Sequence, residues 1–140
     1  MRKNQLKGSD KLLKVFSKTK NGNEKLSDHF KVKEFACKDG SDPVFIDENL
    51  IDLLEKVREH FGKPVHVNSG YRTVSYNIRI GGASYSQHCY GRACDIYING
   101  ISPKEIAEYV ETLIPNTGGI GIYKTFIHID TRKTKSRWNG

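Results

Sequence analysis

The stretch "YSQHCYGRACDIYI", Tyr85 to Ile98, decides how the rest of the sequence is interpreted. It brings a histidine, two cysteines and an aspartate close together, which fits a metal site, a redox pair or a polar strand. Gly91 and Ala93 stand between His88 and Asp95, so the chain can fold back here without obstruction from large side chains. Catalytic zinc takes three protein ligands and keeps one position open, so His88 and Asp95 are two candidate ligands.

The cysteines argue against the redox pair. Cys37, Cys89 and Cys94 are odd in number, so they cannot all pair, and free thiols in a reducing compartment are expected. The C-x4-C spacing also differs from the C-x2-C pairs of structural zinc sites. Cys94, next to Asp95 on a strand, points to the opposite face and is predicted to fill the core. Cys89 stays open, and a contact with Cys37 is one alternative.

A third ligand is expected from a neighbouring strand. His128 in "FIHID" lies between Ile127 and Ile129 and therefore faces the opposite side from both isoleucines. Taken singly, each candidate has an ordinary structural alternative, such as a hydrogen-bonded polar group. The spacing and the strand context favour the three residues together.

Two helices flank these strands. "FIDENLIDLLEKVREHFG" has apolar residues at helical spacing, with Asp47 as the predicted N-cap and Gly62 at the C-cap. "SPKEIAEYVETLIP" predicts a second helix, capped by Ser102 with Pro103 at its first position.

Three strand regions complete the pattern. "KPVHVNSGYR" alternates and predicts a strand ending near Ser69, "ACDIYI" a second, and "GGIGIYKTFIHIDTR" two short strands around Lys124 and Thr125. "TVSYNIRIGGASYSQHCYGRA" is predicted as a long loop with one helical turn. The expected fold class is α+β, with a small, mostly antiparallel sheet and flanking helices.

Composition favours one domain in a chain of 140 residues, with 36% hydrophobic residues and a mean hydropathy of −0.59. Residues 1–26 are predicted as a basic arm or linker, and residues 27–140 as the folded domain. The arm holds eight Lys or Arg against Asp10 and Glu24, which is +6 of the total net charge of +7. A nucleic-acid surface on the folded body is therefore not favoured.

No apolar run approaches the roughly 20 residues that span a bilayer, and no signal peptide is recognised.

The residues Ser86 to Asp95 fit S-x-H-x-x-G-x-A-x-D. In this motif the chain resembles the zinc D-Ala-D-Ala carboxypeptidases and related peptidoglycan peptidases, which share a fold with the Hedgehog signalling domain. "NSGYRT" upstream looks like the S-G-[YF]-R segment of this family, and "GIGIYKTFIHIDTR" downstream looks like its last zinc-binding strand pair. The resemblance covers roughly residues 26–138.

The resemblance implies a site and a cofactor. The zinc ligands of the family fall on His88, Asp95 and His128. Arg72 falls on the arginine that faces the scissile carbonyl, where it can stabilise the developing oxyanion or pair with the substrate carboxylate. Ser86 falls on the serine that helps to hold substrate. The neighbouring Tyr71 and Gln87 are further candidate substrate-binding residues.

One family feature is absent. Family members usually carry a general base two or three residues before the last histidine, where this chain has Phe126 and Thr125. Asp130, which shares a strand face with His128, is the candidate base. It can instead orient His128 from behind, a common task for a carboxylate at a zinc site. His29 and His66 are weaker alternatives because nothing local ties them to the metal.

The function implied is zinc-dependent hydrolysis of a bond next to a D-amino acid in peptidoglycan stems, by a D,D-carboxypeptidase or a cross-link endopeptidase. Short chains of this kind resemble phage or prophage lysins, made in the bacterial cytoplasm and reaching the wall after release. A monomer with neither a nucleic-acid nor a membrane partner is expected. The alternative is a zinc-containing module for wall binding or phage structure without catalysis, and a nucleic-acid binder rests on charge alone.

Overall fold

A five-stranded sheet dominates residues 13–140, which are the residues described by the computed structural model. In chain order the elements are β1 (Leu13–Ser17), α1 (Lys18–Asn21), β2 (Pro43–Asp47), α2 (Glu48–Phe61), β3 (His66–Ser69), α3 (Val74–Arg79), β4 (Ala93–Tyr97), α4 (Pro103–Leu113), β5 (Gly119–Ile122), β6 (Ile127–Asp130) and β7 (Ser136–Asn139). Two 3-10 helices, Val32–Phe35 and Gln87–Tyr90, lie between them.

The strand order of this sheet is β3-β4-β6-β5-β7. The pairs β3/β4, β4/β6 and β6/β5 are antiparallel, whereas β7 joins the edge of the sheet parallel to β5. The turn between β5 and β6 includes Lys124 and Thr125, so the two short strands predicted there are confirmed.

A second sheet consists of β1 and β2, paired antiparallel from Leu13–Asp47 to Ser17–Pro43. Phe16 and Leu26 pack against the main core. Part of the predicted arm therefore contacts the folded body, while residues 1–12 lie outside the described residues. The domain boundary at residue 26 stays a prediction.

The two long helices begin and end where their sequences predict. The side chain of Asp47 accepts a hydrogen bond from the Asn49 N–H at 3.0 Å, and Gly62 ends α2 in the left-handed conformation with φ 63°. In α4, Ser102 Oγ accepts from the Glu105 N–H at 3.1 Å. These caps satisfy backbone groups that have no partner inside the helix.

The core lies between the main sheet and these helices. Ile96, Ile127 and Ile129 on the inner face of the sheet are fully buried, as are Leu54 of α2 and Ile106 of α4. Burying a side chain of this size stabilises the fold by roughly 1.5–3 kcal/mol. Cys94 is also fully buried, as predicted. Because side chains alternate along a strand, the other face of the sheet is left for polar residues.

The fold class is confirmed as a mixed α/β domain. The expectation of one small, mostly antiparallel sheet is corrected, because the chain forms two sheets and the larger one has a parallel edge strand. The expected loop after Ser69 also contains the short helix α3 and a 3-10 turn. Within residues 13–140, none of the helices combines the length and the apolar character needed to cross a bilayer.

Candidate metal centre

Five residues form one row across the polar face of the main sheet. In the strand register Ser69 pairs with Asp95, Asp95 with His128, His128 with Gly121, and Gly121 with Trp138. Directly opposite residues on neighbouring strands have their side chains close together. The sheet itself therefore places Asp95 beside His128, although the two are far apart in the sequence.

His88 reaches this row from the 3-10 helix Gln87–Tyr90. Ser86 caps that helix by accepting a hydrogen bond from the His88 N–H at 3.2 Å, and Gly91 ends it with φ 72°. The Nδ1 atom of His88 lies 2.7 Å from the Gly70 carbonyl oxygen, and its Nε2 atom lies 3.2 Å from Oδ1 of Asp95. One ring nitrogen is thus fixed by backbone while the other points to the aspartate.

The three predicted ligands converge. His88, Asp95 and His128 are all buried, and each offers one ligand atom within 4.8 Å of the others. His128 Nδ1 lies 3.1 Å from the same Asp95 oxygen that faces His88. Within residues 13–140 this is the cluster of His, Cys, Asp and Glu that can hold a metal ion.

The hydrogen-bond acceptors behind the two histidines leave the cluster suited to a cation. The Gly70 carbonyl accepts the proton on Nδ1 of His88, and Asp130 accepts the proton on Nε2 of His128 at 2.7 Å. A neutral imidazole has one N–H and one lone pair, so both lone pairs point to Asp95. Two nitrogen lone pairs and a carboxylate oxygen then face one another, which is the donor set of a zinc site.

Asp130 sits behind His128 without exposed surface. Its Oδ2 lies 2.7 Å from His128 Nε2 and 2.6 Å from Arg132 Nη2, while Oδ1 accepts from Arg132 Nε at 2.9 Å and from the Gly119 N–H at 2.9 Å. Burial alone would raise the pKa of Asp130, but hydrogen bonds from His128 and Arg132 hold it well below its usual range. His128, Arg132 and Gly119 thus surround this carboxylate with hydrogen-bond donors.

The pKa values of Asp95, His128 and Asp130 are shifted by their contacts with one another. Burial alone would raise the pKa of Asp95, but its close contacts with the His128 and His88 rings hold it well below its usual range. For His128, burial alone would lower the pKa, yet contacts with Asp130 and Asp95 raise it. The two carboxylates thus stay negatively charged and favour positive charge between them.

Arg72 stands on the other side of Asp95. Its Nη2 atom lies 3.4 Å from Oδ2 of Asp95, its Nε donates to Ser69 Oγ at 3.1 Å, and its Nη1 donates to Asn77 Oδ1 at 3.1 Å. A guanidinium has five N–H donors, so others remain for a substrate oxygen. Only 14% of the Arg72 side chain is exposed, and the part that is exposed faces the cleft.

The cluster lies at the floor of an open cleft of about 430 Å³. One wall is the segment from Ile80 to Gln87, and the other contains Tyr123, Phe126 and Trp138. The rings of Tyr123 and Phe126 stack at 4.5 Å, and Trp138 packs 5.0 Å from the His128 ring. Gly121 makes room for Trp138, because a Cβ atom there would lie 2.4 Å from its ring.

Two of the predicted substrate-binding residues lie at the cleft and one does not. Ser86 and Gln87 line it, and Gln87 Oε1 is buried without a hydrogen-bond partner. Tyr71 points away and packs against Phe45 with ring centres 5.2 Å apart. Its own N–H donates to the Phe35 carbonyl, so the backbone turns this side chain toward the core.

The weaker candidates for the general base, His29 and His66, do not line the cleft. His29 contacts Glu55, and His66 stacks on Tyr97 at 4.7 Å. Cys37, Cys89 and Cys94 are free thiols, as expected from their number. Burial raises the pKa of Cys89 and of Cys94, so neither favours the thiolate form that binds metal.

Sequence reasoning missed Arg132, Asn77 and Tyr123. Arg132 pairs with Asp130 and lies 5.4 Å over the Trp138 ring. The alternating glycines of "GGIGI" are the signal that could have indicated these contacts. Glycine inside a strand often marks the close approach of another group, here Asp130 at Gly119 and Trp138 at Gly121.

The fold and the His–Asp–His cluster define a candidate metal centre of the kind found in metallopeptidases. A family model described as Peptidase M15 matches residues 28–130, well over half of the chain. The chain belongs to the Peptidase M15 family. The resemblance noted in the sequence is thereby confirmed at the level of the family.

The relatives are wall enzymes by name. The chain is 37% identical over 95 residues to the peptidoglycan L,D-endopeptidase MepK of Escherichia coli strain K12, covering 61% of this chain and 51% of that protein. It is 48% identical over 44 residues to the zinc D-Ala-D-Ala carboxypeptidase of Streptomyces albus G, covering 31% and 17%. A probable peptidoglycan L,D-endopeptidase MepK of Haemophilus influenzae is 31% identical over 105 residues, covering 68% and 55%. The chain spans about half the length of the MepK relatives it matches.

Proposed function

We propose that this protein is a zinc-dependent peptidase that hydrolyses a bond in the peptide stems of bacterial peptidoglycan. The observation that carries the proposal is the convergence of His88, Asp95 and His128 at the floor of an open cleft. Membership of the Peptidase M15 family and the names of the relatives support the substrate class.

His88, Asp95 and His128 would hold the zinc ion. When bound in such a site, zinc supplies a Lewis acid that polarises a carbonyl group and makes water a stronger acid. The protein contributes the orientation of the ligands. The Gly70 carbonyl fixes the ring of His88, and Asp130 fixes the ring of His128.

Arg72 is the proposed partner of the scissile carbonyl. Its guanidinium is held by Ser69, Asn77 and Asp95 at the edge of the cleft, so it needs little reorganisation to donate to a substrate oxygen. Donors fixed in advance at the position where negative charge develops lower the barrier of acyl transfer. We assign Asp130 the orienting role, since Arg132 and Gly119 occupy its remaining acceptor positions.

The charges in the cleft favour cleavage of an internal bond over removal of a terminal residue. Arg72 and Arg132 are the cationic side chains among the described residues that line the cleft. Arg72 faces Asp95, and Arg132 makes a two-point contact with Asp130. A carboxypeptidase needs a further cation for the terminal carboxylate of its substrate, but here Arg72 is assigned to the scissile carbonyl and Arg132 is paired with Asp130. We therefore propose the endopeptidase over the D,D-carboxypeptidase.

The proposal includes the setting in which the enzyme acts. We propose that it reaches the wall after release from the bacterial cell that makes it, as a phage or prophage lysin, and that it works as a monomer. The basic N-terminal arm of the sequence suits the anionic polymers of the wall.

The test is digestion of purified, cross-linked peptidoglycan, with the released peptides identified by mass. The wild type is compared with His88→Ala and with His66→Ala, a histidine outside the cleft. An endopeptidase converts cross-linked dimers to monomers, whereas a carboxypeptidase releases single D-alanine residues. We expect dimer cleavage by the wild type and by His66→Ala, and none by His88→Ala. Stoichiometric zinc without cleavage of any wall would favour the non-catalytic module instead.

A further inference from the structure

Asn77 is buried in α3, a helix whose other residues are exposed or half-buried. Its residue exposure is 4%, whereas Val74 and Ile78 of the same helix are 65% and 71% exposed. A buried amide requires hydrogen-bond partners for its polar atoms, because leaving one unpaired costs roughly 1–3 kcal/mol. The partners of Asn77 therefore indicate why the residue faces inward.

The Asn77 side chain connects Arg72 to one wall of the cleft. Its Oδ1 accepts a hydrogen bond from Arg72 Nη1 at 3.1 Å, and its Nδ2 donates to the Ala83 carbonyl at 2.9 Å. Its backbone carbonyl accepts from the Gly82 N–H at 2.8 Å. The partners also fix the orientation of the amide, since an arginine can only donate and a carbonyl can only accept.

The backbone of Gly82 lies directly against the side-chain amide of Asn77. A Cβ atom on Gly82 would lie 2.0 Å from Asn77 Oδ1, so only glycine allows the backbone to lie flat against the side chain. The segment that follows, from Ala83 to Gln87, is a wall of the cleft and leads directly to His88. One side chain thus contacts both the arginine and the wall.

We propose that Asn77 is a positioning residue that fixes the position of the Arg72 guanidinium relative to the wall segment 82–87. The proposal rests on the proposed function, in which Arg72 stabilises the oxygen of the scissile carbonyl. Asn77 acts through Arg72 for the chemical step and through Ala83 for substrate binding. Because one amide holds both, a substrate bound against the wall meets the arginine at a fixed distance.

Replacement by aspartate separates the two contacts. Asn77→Asp keeps an acceptor for Arg72 and adds charge to that hydrogen bond, but it loses the donor to the Ala83 carbonyl. Asn77→Ala loses both contacts. Ile78→Ala on the same helix, 71% exposed and outside the cleft, is the matched control.

The experiment combines a readout on the free protein with kinetics on cross-linked peptidoglycan dimers. Hydrogen exchange over residues 80–87 reports on the wall, and the NMR signal of the Arg72 Nε–H reports on the guanidinium. In Asn77→Ala we expect faster exchange, loss of the arginine signal and a fall in kcat of about tenfold, or about 1.4 kcal/mol. In Asn77→Asp we expect faster exchange and a higher KM, with the arginine signal and kcat close to wild type.

Three results would overturn the proposal. The first is an unchanged Arg72 signal in Asn77→Ala, and the second is equal kinetics for the alanine and aspartate variants. The third is loss of zinc or of the folded state in Asn77→Ala and Asn77→Asp alike, which would make the residue merely structural. A wild type that cleaves no peptidoglycan would contradict the proposed function, while the exchange and NMR results would still test the role of Asn77.

Discussion

The Nε2 atom of His128 lies 2.7 Å from Oδ2 of Asp130, and this contact turns Nδ1 of the same ring toward Asp95. Asp130 is also paired with Arg132, which lies over Trp138. A chain of contacts therefore runs from the cleft wall through the arginine and the aspartate to a candidate metal ligand. A ligand held in this way needs no reorientation when it binds zinc.

Asp130→Asn is expected to weaken zinc binding by about 10–100-fold, because the amide neither matches the charge of Arg132 nor holds His128 as firmly. Zinc affinity is measured by competition with a chelator, and activity is measured at saturating zinc. We expect the activity to return largely at saturating zinc. Full zinc affinity with activity still lost would instead make Asp130 the general base.

Gly121→Ala is expected to displace the only tryptophan of the chain. A Cβ atom at Gly121 would lie 2.4 Å from Cε2 of Trp138, so the ring must move away from His128. Overpacking of this kind costs roughly 1–3 kcal/mol of unfolding free energy. The fluorescence spectrum should shift to longer wavelength, whereas Lys124→Ala, an exposed change in the β5–β6 turn, should leave it unchanged. An unaltered spectrum for Gly121→Ala would be inconsistent with this packing.

Gly91→Ala is expected to disrupt the turn that carries His88. Gly91 has φ 72°, and a Cβ atom there would lie 2.6 Å from the Phe45 carbonyl oxygen, which is backbone and cannot swing aside. Gly40→Ala is the matched control, since its φ is 86° but no atom lies within 4 Å of the added carbon. We expect a loss of roughly 1 kcal/mol at Gly40, from backbone strain alone. The loss at Gly91 should be clearly larger in chemical denaturation, and equal losses would contradict the close contact.

Glu55 provides a pH-dependent contribution to stability that does not involve the metal centre. Burial alone would raise its pKa, but hydrogen bonds from the Ser27 hydroxyl and from His29 lower it. A lowered pKa in the folded state stabilises the protein above the pKa of the unfolded chain. This contribution is lost as the pH falls through the folded value.

Glu55→Gln is therefore expected to cost about 1–2 kcal/mol at pH 7. The difference from wild type should shrink as the pH falls through the lowered pKa of folded Glu55, where the wild-type carboxyl becomes neutral. Denaturation is followed across this range, with Glu59→Gln, an exposed glutamate on the same helix, as the control. A cost for Glu55→Gln that stays constant with pH would contradict the assignment.

Local signals predicted much of the fold. The caps at Asp47, Gly62 and Ser102 follow from residues within one helical turn, so the sequence alone locates both long helices. The alternation of Ile127, His128 and Ile129 likewise predicts which face of the strand meets the core. The predicted ligands His88, Asp95 and His128 do meet at one point.

Contacts between distant residues were not predictable in this way. The pairing of β1 with β2 and the parallel addition of β7 to β5 join segments that are far apart in the sequence. Tyr71 was predicted to line the substrate groove as an aromatic residue near the loop, but its side chain packs on Phe45. Asn77 carries no sequence sign of its role, since its side-chain partners, Arg72 and Ala83, lie nearby in the sequence but in segments without a repeating pattern.

The most direct test of the account is reconstitution of peptidoglycan cleavage after removal of the metal. The wild-type protein is treated with a chelator, dialysed, assayed on cross-linked peptidoglycan and assayed again with increasing zinc, beside His88→Ala. The account predicts that cleavage of dimers disappears with the metal and returns with about one zinc ion per chain, and that the variant stays inactive. Undiminished cleavage by the metal-free wild type would contradict it.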